Sequence, residues 1–128
     1  MKYYISKILN VSFEEAQSKV VESLKNEGFG VLSEINIHDK LKEKLNIDFR
    51  RYKILGACNP AFAYKALQVE DKIGTMLPCN VIIQELAIDK IEVAAVDPVA
   101  SMLAIENPEL EKIAANVQEK LKHAVSSL

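Results

Sequence analysis

Two cysteines are the residues of this chain best suited to chemistry. Cys58 ends one apolar run and Cys79 opens the next, and an asparagine follows each of them. Between them lie a short helical pattern that begins at Pro60 and a loop over residues 71 to 78. The start of that helix follows Cys58 directly, and a helix N-terminus lowers the pKa of a nearby thiol and raises its thiolate fraction. The pair therefore indicates a redox or nucleophilic site as one interpretation.

The same cysteines also have a purely structural interpretation. Free cysteine is among the most buried residue types, so Cys58 and Cys79 fit equally well as small core residues. Asn59 and Pro60 are likewise the residue types preferred at the N-cap and at the first position of a helix. Both interpretations remain open at the level of the sequence.

A metal site is a third use of the thiols. Zinc prefers four nitrogen, sulfur or oxygen ligands, and the chain offers two cysteines together with His38 and His123. The spacing is that of no zinc finger, since His38 stands at a strand end and His123 in the last turn of the final helix, where a cation suits the helix dipole. No cofactor is expected. The remaining metal hypothesis is a zinc ion bound by Cys58 and Cys79, with carboxylates or residues of a second subunit as further ligands.

The loop from Asp71 to Pro78 carries large apolar residues where polar ones are usual. Gly74 allows it to bend, and Met76 and Leu77 can anchor it in the core, close over a small-molecule pocket, or dock on a second subunit. The candidate ligand-binding residues are Asn59, Pro60, Met76, Leu77, Pro78 and Asn80.

Composition limits the classes of function. The 128 residues predict a single domain, 1–128, with 49% hydrophobic and 27% charged residues. A net charge of −2 argues against nucleic acid, which needs a concentrated basic patch. The one basic cluster, Arg50, Arg51 and Lys53, starts a strand, where alternation divides it between two faces.

The compartment follows from what the sequence lacks. No window approaches the roughly 20 apolar residues of a membrane helix, and the first residues lack the pattern of a signal peptide. Two cysteines are too few for a secreted disulfide framework. We expect a cytoplasmic protein that makes no membrane contact.

Periodicity and capping residues predict the elements that position the thiols. Ser12 and Glu15 form a capping box, Gly28 suits a helix end, and Asn107 with Pro108 begins a final amphipathic helix. The predicted order is a strand over 2–9, a helix from Ser12, a strand over 30–37, a short helix capped by Asp39, a strand over 51–58, a helix from Pro60, two hairpin strands over 79–86 and 91–97, and the final helix, whose apolar stripe includes Leu110, Ile113, Ala114 and Val117.

Two long helices can cover one face of a single antiparallel sheet, which predicts a two-layer α+β fold. Several strands are apolar on both sides, as where Ile82 opposes Val81 and Ile83. The second face then needs cover as well, and homodimerisation through that face, or through the short helices over it, is the simplest proposal.

The segments CNPAFAYKAL, IGTMLPCNVII and VAAVDP occur in this order before the C-terminal amphipathic helix. Together they resemble the domain of unknown function 302 family over nearly the whole chain, with LPCNV and the upstream NP-x-x-A as the most specific parts. The resemblance implies a β-α-β(4)-α fold of the TATA-binding-protein-like class, often dimeric and prokaryotic, and no established activity.

If the third and fourth strands run antiparallel, the end of one lies beside the start of the next. Cys58 and Cys79 are then expected to be neighbours, although 20 residues separate them in the chain. The leading hypothesis is a dimeric module that binds a small molecule or serves redox chemistry near Cys58 and Cys79. There are two alternatives. One is a thiol-dependent enzyme, and the other is an interaction protein in which the cluster only supports the core and the dimer interface.

Overall fold

The computed structural model describes residues 2–128 and forms an α+β fold, as the sequence predicts. One five-stranded sheet has the order β1-β5-β4-β3-β2, and every neighbouring pair of strands is antiparallel. The elements in chain order are β1 (Tyr4–Leu9), α1 (Phe13–Asn26), β2 (Gly30–Asn36), α2 (Ile37–Leu45), β3 (Tyr52–Cys58), α3 (Pro60–Val69), a 3₁₀ segment (Asp71–Met76), β4 (Cys79–Ala87), β5 (Lys90–Val96), α4 (Pro98–Ser101) and α5 (Pro108–Ser126).

The two long helices, α1 and α5, pack on one face of the sheet. Alternate residues of the strands point to this face, so each strand contributes every second side chain to the core. The core includes Leu55, Ala57, Val81, Ile83, Ile91 and Val93 from the sheet, Phe13, Val20 and Leu24 from α1, and Val117, Leu121 and Val125 from α5.

Local capping explains where the long helices begin and end. The Ser12 hydroxyl accepts a hydrogen bond from the backbone N–H of Glu15 at 3.1 Å, which starts α1. Gly28 follows α1 with a φ of 87°, a left-handed conformation that favours glycine. The Asn107 side chain accepts hydrogen bonds from the first turn of α5, and Pro108 is its first residue. The Ser12 N-cap, Gly28 and the start of α5 are confirmed, whereas in residues 2–128 the Glu15 side chain does not complete the predicted capping box with a hydrogen bond from the Ser12 N–H.

Two local predictions are wrong. Asp39 does not cap α2, because the helix already begins at Ile37 and leaves Asp39 inside its first turn. The segment before β4 is not irregular: residues 71 to 76 form a 3₁₀ helix. Ile73 explains this difference, since its side chain is fully buried and its N–H donates to the carbonyl oxygen of Glu70 at 3.1 Å.

The basic cluster at the start of β3 is divided as expected. The Arg51 guanidinium donates to the Glu14 carboxylate on α1 at 2.6 Å, and this hydrogen bond lowers the pKa of Glu14. Arg50 instead donates from Nε to the Gln84 side chain at 2.8 Å. The adjacent arginines therefore bind to different elements. Among residues 2–128 no helix has the length and apolar character needed to cross a bilayer.

The face of the sheet opposite α1 and α5 is called the second face below. Its side chains are half-buried or exposed, with apolar groups at its centre. It carries Tyr4, Ser6, Ile8, Tyr52, Ile54, Asn80, Ile82, Gln84, Glu92, Ala94 and Val96.

Candidate functional site

Antiparallel pairing brings the two cysteines to the same end of the sheet. Cys79, the first residue of β4, lies directly opposite Ala57 of β3, and Cys58 follows Ala57 in the chain. Residues that face each other in an antiparallel ladder have Cα atoms about 4.5–5.5 Å apart, so Cys58 and Cys79 lie close together at this end of the sheet. Both cysteines are free. The expectation that the two cysteines are neighbours at one end of the sheet is confirmed.

Both cysteines line one cavity, called the thiol cavity below, between the end of β3, helix α3 and helix α5. Its volume is about 40 Å³, which is room for roughly three water-sized groups. Its other lining residues are apolar except for Asn59, and they are Phe29, Ala57, Phe62, Ala63, Ala66, Leu77, Pro78, Pro98, Met102, Leu110, Ile113, Ala114 and Val117.

The thiol of Cys79 is buried and neutral. Its residue is only 8% exposed, and this burial, with a smaller effect of the neighbouring Cys58, raises the pKa of the thiol to about 11. The thiolate is the form of cysteine that attacks and that binds metals. At neutral pH, Cys79 is therefore a poor nucleophile unless a ligand in the cavity stabilises its thiolate.

The N-terminus of α3 lies next to Cys58. Asn59 occupies the N-cap position, but its side chain makes no capping hydrogen bond, which corrects the interpretation of Asn59 as a side-chain cap. The Asn59 amide instead reaches back to the carbonyl oxygen of Glu27, with Nδ2 at 3.4 Å from it. The N–H groups of the first turn of α3 are thus not bonded by Asn59, and the positive end of the helix dipole faces the Cys58 side of the cavity.

The structure brings together five of the eight candidate residues. Cys58, Asn59, Leu77, Pro78 and Cys79 all line the thiol cavity.

The other three candidates lie elsewhere. Pro60 is exposed at the start of α3, and the side chain of Met76 is 43% exposed on the 3₁₀ segment. Asn80 points to the second face, because it is the next strand residue after Cys79 and successive side chains alternate.

Met102 and the α5 residues of the cavity wall were not predicted as part of the site. The sequence predicts that Leu110, Ala114 and Val117 share an apolar helix face, but nothing local indicates which part of the sheet this face covers. Met102 follows α4 in a segment without clear periodicity, yet it is only 9% exposed. Its place in the cavity wall is visible only in three dimensions.

The histidines do not join the cysteines. The ring of His38 accepts a hydrogen bond from the N–H of Tyr52 at 3.0 Å, at the far end of β3 and roughly 20 Å from Cys58 at the usual rise per residue. The ring of His123 is exposed and lies 2.7 Å from the Glu27 carboxylate. Within residues 2–128 no three or more His, Cys, Asp or Glu side chains form a metal-binding group, so the four-ligand zinc site is not formed.

Comparison with known proteins gives the same fold and names no activity. A family model described as "Domain of unknown function DUF302" matches residues 5–128. A crystal structure of an uncharacterized conserved protein DUF302 from Bacillus stearothermophilus superimposes with a TM-score of 0.90. That protein is 28% identical in sequence, and the match covers 98% of each chain. A search of curated proteins finds no match.

Proposed function

Because the chain belongs to the DUF302 family, whose name carries no activity, we propose its function from the site alone: it is a binding module for a small ligand in the thiol cavity. The observation that carries this proposal is that both free cysteines line one almost wholly apolar space. Binding sites are typically apolar cavities in which a few polar or reactive groups fix the ligand.

The size of the cavity limits what it can hold. Pockets for metabolites usually measure several hundred Å³, whereas this one has about 40 Å³. The ligand is therefore an ion, a few atoms, or one end of a larger molecule that enters beside Cys58, the more exposed thiol.

Binding fits this site better than thiol-dependent catalysis does. The raised pKa of Cys79 keeps its thiol protonated at neutral pH, which suppresses both nucleophilic attack and thiol-disulfide exchange. We also propose a cytoplasmic location, because a reducing compartment keeps two neighbouring thiols free for a ligand.

A native mass spectrum of protein purified without chelator or reductant tests this function. We expect an added mass that is present in the wild type and in Ala61→Val and absent in Ala63→Val. Both alanines are in α3, but Ala63 lines the cavity and Ala61 is exposed. The two variants therefore share the cost of a β-branched residue in a helix and differ in cavity volume. A bare wild-type chain, or an added mass that both variants keep, would contradict the proposal.

We further propose that the module is a homodimer formed through the second face. Five strands about 4.8 Å apart and about 20 Å long present a plane of roughly 480 Å². This is more than half of the ~800 Å² that each partner buries in a standard interface. The Gln84 amide donates to the Glu92 carboxylate at 2.7 Å, so these polar groups keep a partner when the face is covered.

Ile82→Asp tests the dimer, with Ile88→Asp as the matched control. Ile82 lies at the centre of the second face, whereas Ile88 is 89% exposed at the tip of the β4–β5 hairpin. Sedimentation is expected to give a dimer for the wild type and for Ile88→Asp, and a monomer for Ile82→Asp, because an interface cannot bury an unpaired carboxylate at low cost. A monomeric wild type would end this proposal and leave the ligand-binding proposal intact.

A further inference from the structure

The second face carries a hollow that is much larger than the thiol cavity. Its volume is about 370 Å³, within the roughly 300–1,000 Å³ that is usual for small-molecule sites. No residue lines both this hollow and the thiol cavity, so it is a separate feature of the molecule. We call it the sheet hollow, and its lining includes Tyr4, Tyr52, Ile82, Gln84, Glu92 and Ala94.

The register of the strands explains why the sheet is hollow at this place. Ala94 of β5 pairs with Ile82 of β4 on one side and with Ser6 of β1 on the other. Alanine and serine have short side chains, so the sheet is low at Ala94 and Ser6 relative to the longer side chains around them. Ala94 therefore gives the hollow a floor, and Ile82 and Val96 make the surface beside it apolar.

Two tyrosines border the sheet hollow from opposite sides. Strands β5 and β4 are central, and β1 with Tyr4 lies to one side of them and β3 with Tyr52 to the other. The ring of Tyr4 packs edge-on against the ring of Tyr3, with centroids 5.1 Å apart, and the ring of Tyr52 lies 6.3 Å from that of Phe49. Each tyrosine ring is thus held by an aromatic neighbour and offers apolar surface to a ligand.

One carboxylate at the sheet hollow has a free oxygen atom. The Oε1 atom of Glu92 accepts a hydrogen bond from Nε2 of Gln84 at 2.7 Å, and Oε1 of Gln84 accepts one from Nε of Arg50 at 2.8 Å. This chain of hydrogen bonds fixes the orientation of the Gln84 amide and one oxygen of Glu92. Within residues 2–128, Glu92 forms no ion pair and its Oε2 atom accepts no hydrogen bond, so Oε2 is available to a ligand.

These groups select a ligand by its chemistry. A free carboxylate oxygen requires an N–H or O–H donor, and an apolar floor between two tyrosines suits a flat ring. The ring centroids of Tyr4 and Tyr52 already lie 5.9 Å from Nζ of Lys2 and 5.8 Å from Cζ of Arg50, so a cationic ligand would meet positive charge on both sides. A neutral aromatic ring with an amino substituent meets all of these conditions.

We propose that the sheet hollow binds a neutral heteroaromatic amine, such as an aminopurine. The ring lies on Ala94 and Ile82, and the amino group donates to Oε2 of Glu92. This site goes beyond the proposed function of the thiol cavity and does not depend on it. It is also compatible with the homodimer, because a carboxylate oxygen that a second copy covers needs a hydrogen-bond donor, which the amino group supplies.

A titration of the full chain with 2-aminopurine, followed by the fluorescence of that probe, tests the site. We expect saturable binding of one molecule per chain. Unsubstituted purine, measured in competition, should bind about tenfold more weakly, because it lacks the amino group that donates to the charged oxygen. This comparison uses the wild type alone and does not depend on the folding of any variant.

Two pairs of variants locate the ligand. Ala94→Leu fills the floor of the hollow and is expected to weaken binding at least ~10-fold, whereas Ala87→Leu, at the exposed end of β4, should bind as the wild type does. Glu92→Gln removes the charge of the acceptor and should weaken binding about tenfold. Its control is Glu85→Gln, because Glu85 pairs with the buried Ile91 on the face that the long helices cover.

Each result supports or overturns a stated part of the proposal. A wild type that shows no saturable binding of 2-aminopurine, or equal affinities of Ala94→Leu and Ala87→Leu, would overturn the site. Equal affinities of Glu92→Gln and Glu85→Gln, or of purine and 2-aminopurine for the wild type, would overturn the recognition of an amine by Glu92. Ala63→Val should not change this binding, so failure here leaves the function of the thiol cavity standing.

Discussion

The side-chain amide of Asn107 donates from Nδ2 to the carbonyl oxygen of Val69 at 2.9 Å, and so joins the start of α5 to the end of α3. The other atom of the same amide, Oδ1, accepts hydrogen bonds from the N–H groups of Glu109 and Leu110. One residue therefore caps α5 and holds it against α3. Because both helices line the thiol cavity, this contact holds two parts of the cavity wall together.

Asn107→Ala is expected to lower the free energy of unfolding by about 1–2 kcal/mol, the cost of losing an N-cap and leaving a carbonyl oxygen without its donor. Asn107→Ser is the control, since a serine hydroxyl still caps a helix but is too short to reach Val69. Urea unfolding should rank the wild type above Asn107→Ser and Asn107→Ser above Asn107→Ala. If serine restores the stability of the wild type, the contact with Val69 contributes nothing.

Gly56 lies where β3 passes beneath Pro78, the residue before Cys79. A Cβ atom at position 56 would collide with the Ser33 hydroxyl and lie 2.8 Å from Cγ of Pro78. We therefore expect Gly56→Ala to destabilise the fold by about 1–3 kcal/mol through overpacking. Gly74→Ala is the control, because a Cβ atom there meets nothing within 4 Å.

Thermal unfolding of these variants also separates the two collisions. In the double variant Gly56→Ala with Ser33→Ala, the hydroxyl is gone and the contact with Pro78 remains, so we expect partial recovery of the midpoint. Full recovery would mean that Pro78 moves aside freely, in which case this edge of the cavity is not rigid.

The sequence was most informative where the deciding interactions are local. Capping by Ser12, the left-handed Gly28 and the Asn107-Pro108 start of α5 each depend on residues within one helical turn. The closeness of Cys58 and Cys79 was also predictable, because it needs only the direction of two neighbouring strands.

The sequence was least informative where position depends on packing between distant elements. Proximity in the chain groups Asn80 with Cys79, but alternation in β4 turns the Asn80 side chain to the second face. Met102 is brought into the cavity wall by the path of the chain after β5 and by packing against α5, and no short sequence pattern indicates that path. The 3₁₀ segment depends on burial of Ile73, which is a tertiary event.

Stability should fall at high pH because of Cys79. The fold raises the pKa of this thiol from an ordinary value of 9.0 to about 11, so the folded state favours the protonated form. The resulting stabilisation is fully present below about pH 9 and is lost as the pH rises through about 11, with a magnitude of about 2–3 kcal/mol.

Urea unfolding between about pH 8 and pH 11 gives the free energy of unfolding of the wild type and of Cys79→Ala. The loss due to Cys79 is the change with pH in the difference between them, because lysines and tyrosines titrate in both proteins and cancel. Cys58→Ala should keep most of the loss, because burial is the larger cause of the shift and the neighbouring thiol the smaller. Parallel curves for the wild type and Cys79→Ala would show that the thiol of Cys79 is not desolvated in the folded protein.

The two thiols should also differ in their rates of alkylation. Cys79 is buried and its raised pKa leaves roughly one thiolate in 10³–10⁴ near pH 7.5, whereas Cys58 is partly exposed. With iodoacetamide and peptide mass analysis, we expect Cys58 to be labelled first and Cys79 to be labelled rapidly only after unfolding. Ala63→Val is expected to slow Cys79 further by filling the cavity, and Ala61→Val to leave the rate unchanged. Equal rates at the two cysteines would mean that the reagent reaches Cys79 freely and that burial does not protect its thiol.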